Sequence, residues 1–177
     1  VTDRSIDFLY ARDRSKPFFL MVSFVRPHPP FDAPQCFFDL YRNKKLTPPP
    51  VGDWVNENHL KQCGRIVDSD TGPVDPELMR QAQIGYYACI SHVDNRIGRI
   101  LMALEEQNIL QNTVILFCSD HGELLGDHHT YRKIQPYQGS IHIPMILYNG
   151  GLRGCQNDLV ELRDVLPTFL ELAGANV

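Results

Sequence analysis

The feature that most constrains the fold is a near-continuous apolar run at residues 18–25, FFLMVSFV, in which only Ser23 is polar. The run lacks the alternation shown by a strand with one face in water, so it predicts a β-strand covered on both faces, as in parallel sheets. It ends at residues 26–30, RPHPP, because three prolines lack the backbone N–H that a sheet ladder requires. Covering both faces of such a strand requires a layered fold.

Helices and further strands alternate along the rest of the chain. Asp75, Pro76 and Glu77 form a helix start, and apolar residues then recur at three- and four-residue steps as far as Glu106, with Gly85 as a possible break. The other predicted elements are a helix over 2–10, strands over 113–118 and 143–148, and a helix over 159–173 that starts or is interrupted at Pro167. Residues 32–74 are proline-rich and are predicted as a long irregular loop insertion. The pattern indicates the α/β class, with a mostly parallel sheet flanked by helices.

Composition narrows the classes of partner. The 177 residues carry 17 basic and 21 acidic side chains, a net charge of −4, and lysine and arginine form no cluster. This balance argues against a nucleic-acid partner. No apolar run approaches the length of a membrane span, so a membrane partner is not expected either.

Polar residues follow the predicted strands, where an open α/β sheet binds its ligands. His28 follows the first strand, and Asp120 and His121 follow the second. A carboxylate and an imidazole that leave a strand together can bind one cation. The alternative is a helix N-terminus, with Asp120 as its cap and Glu123 completing a capping box. Lys133 offers a cation for anionic oxygens on phosphorus or sulfur, or is simply a solvated charge.

Four motifs in order resemble the sulfatase family of the alkaline-phosphatase superfamily. The segment SDHGELLGDHH at 119–129, followed by Lys133, Tyr137 and the strand HIPMI at 142–146, is similar to the family pattern S-D-[HN]-G-x(3)-G-[DE]-H, lysine, aromatic residue and V/I-P strand. Residues 17–34 resemble the family's strand followed by P-H-x-P-[FY], a pattern that PHPPF at 27–31 matches. Residues 87–98 resemble the family's central helix, and DVLPT at 164–168 its D-x-x-P-T helix.

The resemblance implies roles for four residues. Asp120 and His121 would bind a divalent cation, usually calcium in sulfatases, with Mg²⁺ or Mn²⁺ as alternatives. His28 and Lys133 would contact the sulfate group and assist the leaving oxygen. The implied substrate is a sulfated small molecule or sulfated carbohydrate. His128, His129 and His142 receive no assigned role.

One expected part of such an enzyme is missing from these residues. Sulfatases use a formylglycine made from C/S-x-P-x-R, and none of the five cysteines has that context. We therefore expect the formylglycine outside this chain, with residues 1–177 forming an incomplete sulfatase-like catalytic domain that lacks the N-terminal nucleophile region. Such a piece would expose a sheet edge and could self-associate. The alternatives are a phosphonate or phosphate monoester hydrolase of the same superfamily, or a catalytically inert fragment.

Overall fold

Helices dominate the computed structural model, which describes residues 1–63, 71–148 and 153–175. Its helices and strands, in chain order, are α1 (Thr2–Ala11), α2 (Gln35–Asp39), α3 (Glu57–Cys63), α4 (Pro76–Glu106), β1 (Ile115–Cys118), α5 (Gln138–Ile141), β2 (Met145–Tyr148) and α6 (Val165–Leu172). Short 3₁₀ turns lie at Leu110–Asn112, Asp127–His129 and Leu162–Asp164. In these ranges, no helix combines the length and apolar character needed to cross a membrane.

The longest element is α4, and it begins where the sequence predicts. The Asp75 side chain accepts hydrogen bonds from the backbone N–H groups of Glu77 (3.0 Å) and Leu78 (3.1 Å), two of the donors that a helix start leaves unpaired. The possible break at Gly85 is absent, because the helix continues without interruption to Glu106.

A small hydrophobic core joins α1 to the C-terminal end of α4. Leu9 of α1 is fully buried against Ala103 and Leu104 near the end of α4. An ion pair between Asp3 and Arg99 (2.8 Å) joins the same two helices at the surface. Burial of these side chains supplies the main force that holds α1 on α4.

The described strands do not form the mostly parallel sheet that we expected. β1 and β2 lie at the predicted positions but pair antiparallel, with Ile115 opposite Tyr148 and Cys118 opposite Met145. The apolar run at 18–25 belongs to no strand ladder. Its residues alternate between half-buried and exposed, with Phe19, Met21 and Val25 all more than 70% exposed. In the described residues the run is hydrogen-bonded to no neighbouring strand, which a ladder requires.

The irregular loop predicted over 32–74 contains two short helices, α2 and α3. Asn56 caps α3, because its side-chain oxygen accepts hydrogen bonds from the N–H groups of Asn58 (3.0 Å) and His59 (3.1 Å). Residues 64–70 of this loop lie outside the described part of the chain. Near the C-terminus, α6 begins two residues before Pro167, which is therefore in the first turn, where a proline is tolerated.

The uncovered apolar residues of the 18–25 run predict self-association of the 177-residue chain on its own. Burial of Phe19, Met21 and Val25 between two copies removes apolar surface from water. Sedimentation velocity should show dimers or larger species that increase with concentration. Met21→Lys should weaken association, whereas Gln111→Lys, which adds the same charge at an exposed polar position, should not. A wild-type chain that stays monomeric at all concentrations would contradict this.

Candidate functional site

His28 lies in a turn that is closed by an ion pair. Arg26 donates from Nε to Asp32 Oδ1 and from Nη2 to Asp32 Oδ2 (2.7 Å), so the two side chains pair through both carboxylate oxygens. Arg26 Nη1 also donates to the His28 carbonyl oxygen (3.1 Å). The hydrogen bond from Arg26 lowers the pKa of Asp32, and the pKa of Arg26 is raised by the same bond. Both groups therefore stay charged and hold the turn closed over the neutral pH range.

The His28 side chain has a defined hydrogen-bonding state. Its Nδ1 lies 2.7 Å from the Pro29 carbonyl oxygen, which can only accept, so Nδ1 carries the hydrogen. Nε2 then has no partner among the described residues, and the side chain is exposed. The free Nε2 can accept a proton or, when the ring is protonated, donate one.

The turn is seated closely on α4. A Cβ added at Gly85 would lie 2.8 Å from Cβ of Phe31, so the approach depends on the missing side chain. Phe31 also packs edge-on against Tyr86, with ring centroids 6.0 Å apart. Beneath the turn, the Cys89 thiol is fully buried and faces the backbone of Asp32 and Ala33; burial raises its pKa, so it is a neutral packing group.

The residues after β1 place two donor atoms together. His121 Nδ1 lies 2.8 Å from the Gly122 carbonyl oxygen, so Nδ1 carries the hydrogen and Nε2 has a free lone pair. This Nε2 lies 3.7 Å from Asp120 Oδ2, while Asp120 Oδ1 accepts the N–H of His121 (3.0 Å). An oxygen and a nitrogen at this separation can bind the same cation.

The alternative of a capped helix at this position is wrong. Residues 121–124 are not helical, so Asp120 caps no helix. Glu123 Oε1 instead accepts hydrogen bonds from the N–H groups of Leu125 (3.2 Å) and Arg132. The Glu123 side chain therefore holds the following loop closed.

Tyr86 on α4 connects the His28 turn to the segment after β1. Burial raises the pKa of Tyr86 to about 12, and the negative charge of Glu123 adds to the shift. Tyr86 is thus close to Glu123 on one side and in contact with Phe31 on the other. The charge of Glu123 thus acts on the same tyrosine that packs against Phe31 of the turn that holds His28.

His128 has a structural role that the sequence did not reveal. Its Nδ1 accepts the N–H of Gly52 (3.2 Å), its own N–H donates to the Pro50 carbonyl (2.8 Å), and its ring packs on Trp54 and Tyr137, each with centroids 4.8 Å away. These contacts fasten the loop before α3 to the segment after β1. The spacing in sequence offers no signal for them.

His59, in the loop over residues 32–74, belongs to the same group of packed side chains as His128, Trp54 and Tyr137. His59 Nε2 lies 3.1 Å from the Tyr137 hydroxyl and 3.4 Å from the Cys63 sulfur. Tyr137 and Cys63 can both donate to this nitrogen, and burial raises the pKa of each of them. The nitrogen that accepts a hydrogen bond is Nε2 in His59 and Nδ1 in His128. Because the lone pair of each ring is used in this way, neither ring is a strong candidate for a metal ligand.

The predicted site residues fall into three places. Asp120 and His121 are adjacent. His28 lies elsewhere, in the turn that packs on α4 through Phe31. Lys133 is exposed and has no hydrogen bond or ion pair with the described residues. His142 is exposed at the end of α5, and its N–H donates to the Gln138 carbonyl (3.0 Å). Outside the gaps at 64–70, 149–152 and 176–177, no three His, Cys, Asp or Glu side chains are grouped as a metal site.

Known proteins are similar to this chain in sequence and in fold. A family model described as Sulfatase matches residues 1–175. An arylsulfatase of Clostridium perfringens is 43% identical over 183 residues, covering 100% of this chain and 38% of the relative. A choline-sulfatase of Rhizobium meliloti is 32% identical, covering 92% of this chain and 32% of the relative. A phosphonate monoester hydrolase structure from Agrobacterium radiobacter superposes with a TM-score of 0.71 at 26% identity, over 84% of this chain and 32% of that one. The chain thus spans less than two fifths of each.

Because Phe31 lies so close to Gly85, adding one methyl group at position 85 should lower the stability of the protein. Gly85→Ala should destabilise the intact protein by about 1–3 kcal/mol, because the added Cβ pushes Phe31 and its turn away from the helix. Gly98 lies on the same helix with open space around an added Cβ, so Gly98→Ala should stabilise by about 0.5–1 kcal/mol through helix propensity. Denaturant unfolding of both variants measures this; equal effects would show that Phe31 does not restrict position 85.

Proposed function

The chain belongs to the sulfatase family, and on that premise we propose that it forms part of the catalytic domain of a sulfuric ester hydrolase. The observation that carries the proposal is the pair of free donor atoms after β1, Asp120 Oδ2 and His121 Nε2, 3.7 Å apart. The proposed substrate is a sulfated small molecule or sulfated carbohydrate, and aryl sulfates are the first class to test because the relative from Clostridium perfringens is an arylsulfatase.

Asp120 and His121 fit a divalent cation but do not complete its shell. Neither donor atom is paired with a lysine or arginine in the described ranges, so both are available. Two ligands are too few for Ca²⁺, Mg²⁺ or Mn²⁺, and we propose that other residues of the intact protein supply the rest. Calcium is the first candidate. When bound, such a cation draws electron density from the sulfate oxygens and stabilises developing negative charge.

His28 is proposed to handle the proton of the leaving group. With Nδ1 held on the Pro29 carbonyl, the protonated ring presents its second N–H at Nε2 alone. Donation from Nε2 to the departing alkoxide or phenoxide oxygen leaves His28 neutral and still bonded to Pro29. The ring therefore gains and loses its proton without turning.

Lys133 is proposed to neutralise the sulfate group. Its ammonium is not committed to a carboxylate within the described residues, so it can pair with anionic oxygens of a substrate. The covalent step is proposed to use a formylglycine that lies outside these 177 residues. Without that nucleophile, the chain alone supplies binding and proton transfer but no turnover.

The second candidate is hydrolysis of phosphonate or phosphate monoesters. The similarity to a phosphonate monoester hydrolase structure favours it. A cation, a lysine and a proton-donating histidine serve a tetrahedral phosphorus anion by the same chemistry.

A substrate comparison tests the proposal. The intact protein should hydrolyse 4-nitrophenyl sulfate with a kcat/KM at least tenfold above that for 4-nitrophenyl phenylphosphonate, because the proposal assigns the site to sulfate esters. The 177-residue chain should hydrolyse neither. The reverse ratio would favour the second candidate, and inactivity of the intact, metal-loaded protein on both esters would favour the inert alternative.

Metal binding tests the donor pair without relying on turnover. In the intact protein, Asp120→Ala should weaken Ca²⁺ binding at least tenfold in calorimetry, because a carboxylate leaves the cation. His121→Asn should weaken it less, since asparagine offers an oxygen in place of nitrogen. Asp7→Ala, which removes an exposed carboxylate from α1, is the matched control and should change nothing. Unchanged affinity in Asp120→Ala would exclude Asp120 as a ligand.

A further inference from the structure

We propose that the ion pair between Arg26 and Asp32 positions His28, holding the imidazole so that a free Nε2 faces the substrate. Neither residue is at a position that the pattern P-H-x-P-[FY] specifies. The inference rests on the proposed function, since it concerns His28 as the proton donor. Arg26 and Asp32 are positioning residues because they act through His28.

The contacts show how one side chain can set the shape of the turn. Arg26 is the first residue of the turn and Asp32 the last, and the two-pronged bond between them joins its ends. The third donor, Nη1, reaches the carbonyl of His28 itself in the middle (3.1 Å). A single guanidinium thus fixes both ends and the centre of the turn, which a lysine with its one ammonium cannot reproduce.

The surroundings of the pair keep the turn in one place. On the Asp32 side, Phe31 lies against Gly85 and Tyr86, and the backbone of Asp32 and Ala33 lies over Cys89. On the Arg26 side, the chain enters from the 18–25 run, and the N–H of His28 donates to the Val25 carbonyl (3.0 Å). The Asp32 end of the turn is therefore fixed on α4. Through the ion pair, Asp32 also fixes Arg26 at the other end, and Arg26 in turn holds the His28 carbonyl.

The solvent exposure of the Arg26–Asp32 ion pair allows its effect on the position of His28 to be distinguished from an effect on the stability of the fold. The Arg26 and Asp32 side chains are 28% and 57% exposed, and ion pairs at that level of exposure contribute little to folding. Proton transfer, in contrast, is sensitive to small displacements of the donor. Loss of the pair should therefore affect the state of His28 and the rate far more than the unfolding temperature.

A double-mutant cycle in the intact, metal-loaded protein tests this with 4-nitrophenyl sulfate. Arg26→Gln should lower kcat about tenfold with KM nearly unchanged, and Arg26→Lys should recover only part of the loss. His28→Ala should lower kcat by at least about a hundredfold, as expected for removal of a general acid. In the His28→Ala background, Arg26→Gln should cost nothing further, because its effect passes through His28. Additive losses would overturn the proposal.

The matched control is Arg99→Gln, which breaks the exposed ion pair with Asp3 between α1 and α4. It should leave kcat unchanged. Both arginine variants should unfold at temperatures close to wild type. A large drop in unfolding temperature for Arg26→Gln alone, with normal kcat in the folded protein, would assign the pair a structural role and overturn the proposal.

Histidine NMR provides a readout that does not need activity. In the wild type, the ¹⁵N shifts of neutral His28 should show the hydrogen on Nδ1; Arg26→Gln should give a mixture of the two tautomers, and Arg99→Gln should not. A wild-type tautomer pattern in Arg26→Gln would overturn the proposal. If the intact protein hydrolyses no sulfate ester, the proposed function fails, while this measurement still decides whether Arg26 holds His28.

Discussion

The close contact between the His28 turn and α4 is the constraint on which the candidate site depends. At Gly85 the helix has no side chain, and Phe31 occupies the space where a Cβ would be. Tyr86, the next residue, then touches Phe31 and lies close enough to Glu123 for its charge to contribute to the raised pKa of the tyrosine. One turn of α4 thus supports the His28 turn through Phe31 and carries the tyrosine on which the charge of Glu123 acts.

Nearby carbonyl groups determine the chemical state of the candidate histidines. His28 donates from Nδ1 to Pro29, and His121 donates from Nδ1 to Gly122, so in each neutral ring the free lone pair is on Nε2. His128 shows the opposite arrangement, because its Nδ1 accepts the N–H of Gly52. Residues directly adjacent in sequence engage Nδ1 of the first two rings, whereas the third ring is held by packing and by its hydrogen bond to Gly52.

Features that depend on local sequence pattern, such as helix starts, were predictable from the sequence. Contacts between segments distant in sequence were not. The cap at Asp75 and the apolar period were sufficient to predict α4, and the DH pair after an apolar strand indicated adjacent donors. The pairing direction of β1 and β2 is not encoded in either strand, so their antiparallel pairing was not predictable from the sequence. The RPHPPFD spacing contains the Arg26–Asp32 pair, but its meaning appears only once the turn is closed.

The same exposure that leaves these groups available also limits what they do alone. The Asp120 side chain is 85% exposed, and a carboxylate in water attracts a cation weakly because the solvent screens it. Electrostatic stabilisation of a reacting sulfate requires fixed charges in a site that excludes water. This chain fixes the orientation of the candidate groups, since the tautomer of His28 and the Arg26–Asp32 ion pair are set by hydrogen bonds within it. Asp120 and Lys133 lie open to solvent in the described residues, so the candidate site as it stands lacks such dry surroundings. Hydrogen bonds within the chain therefore fix the geometry of these groups, but geometry alone does not give them the low dielectric constant that strong electrostatic stabilisation requires.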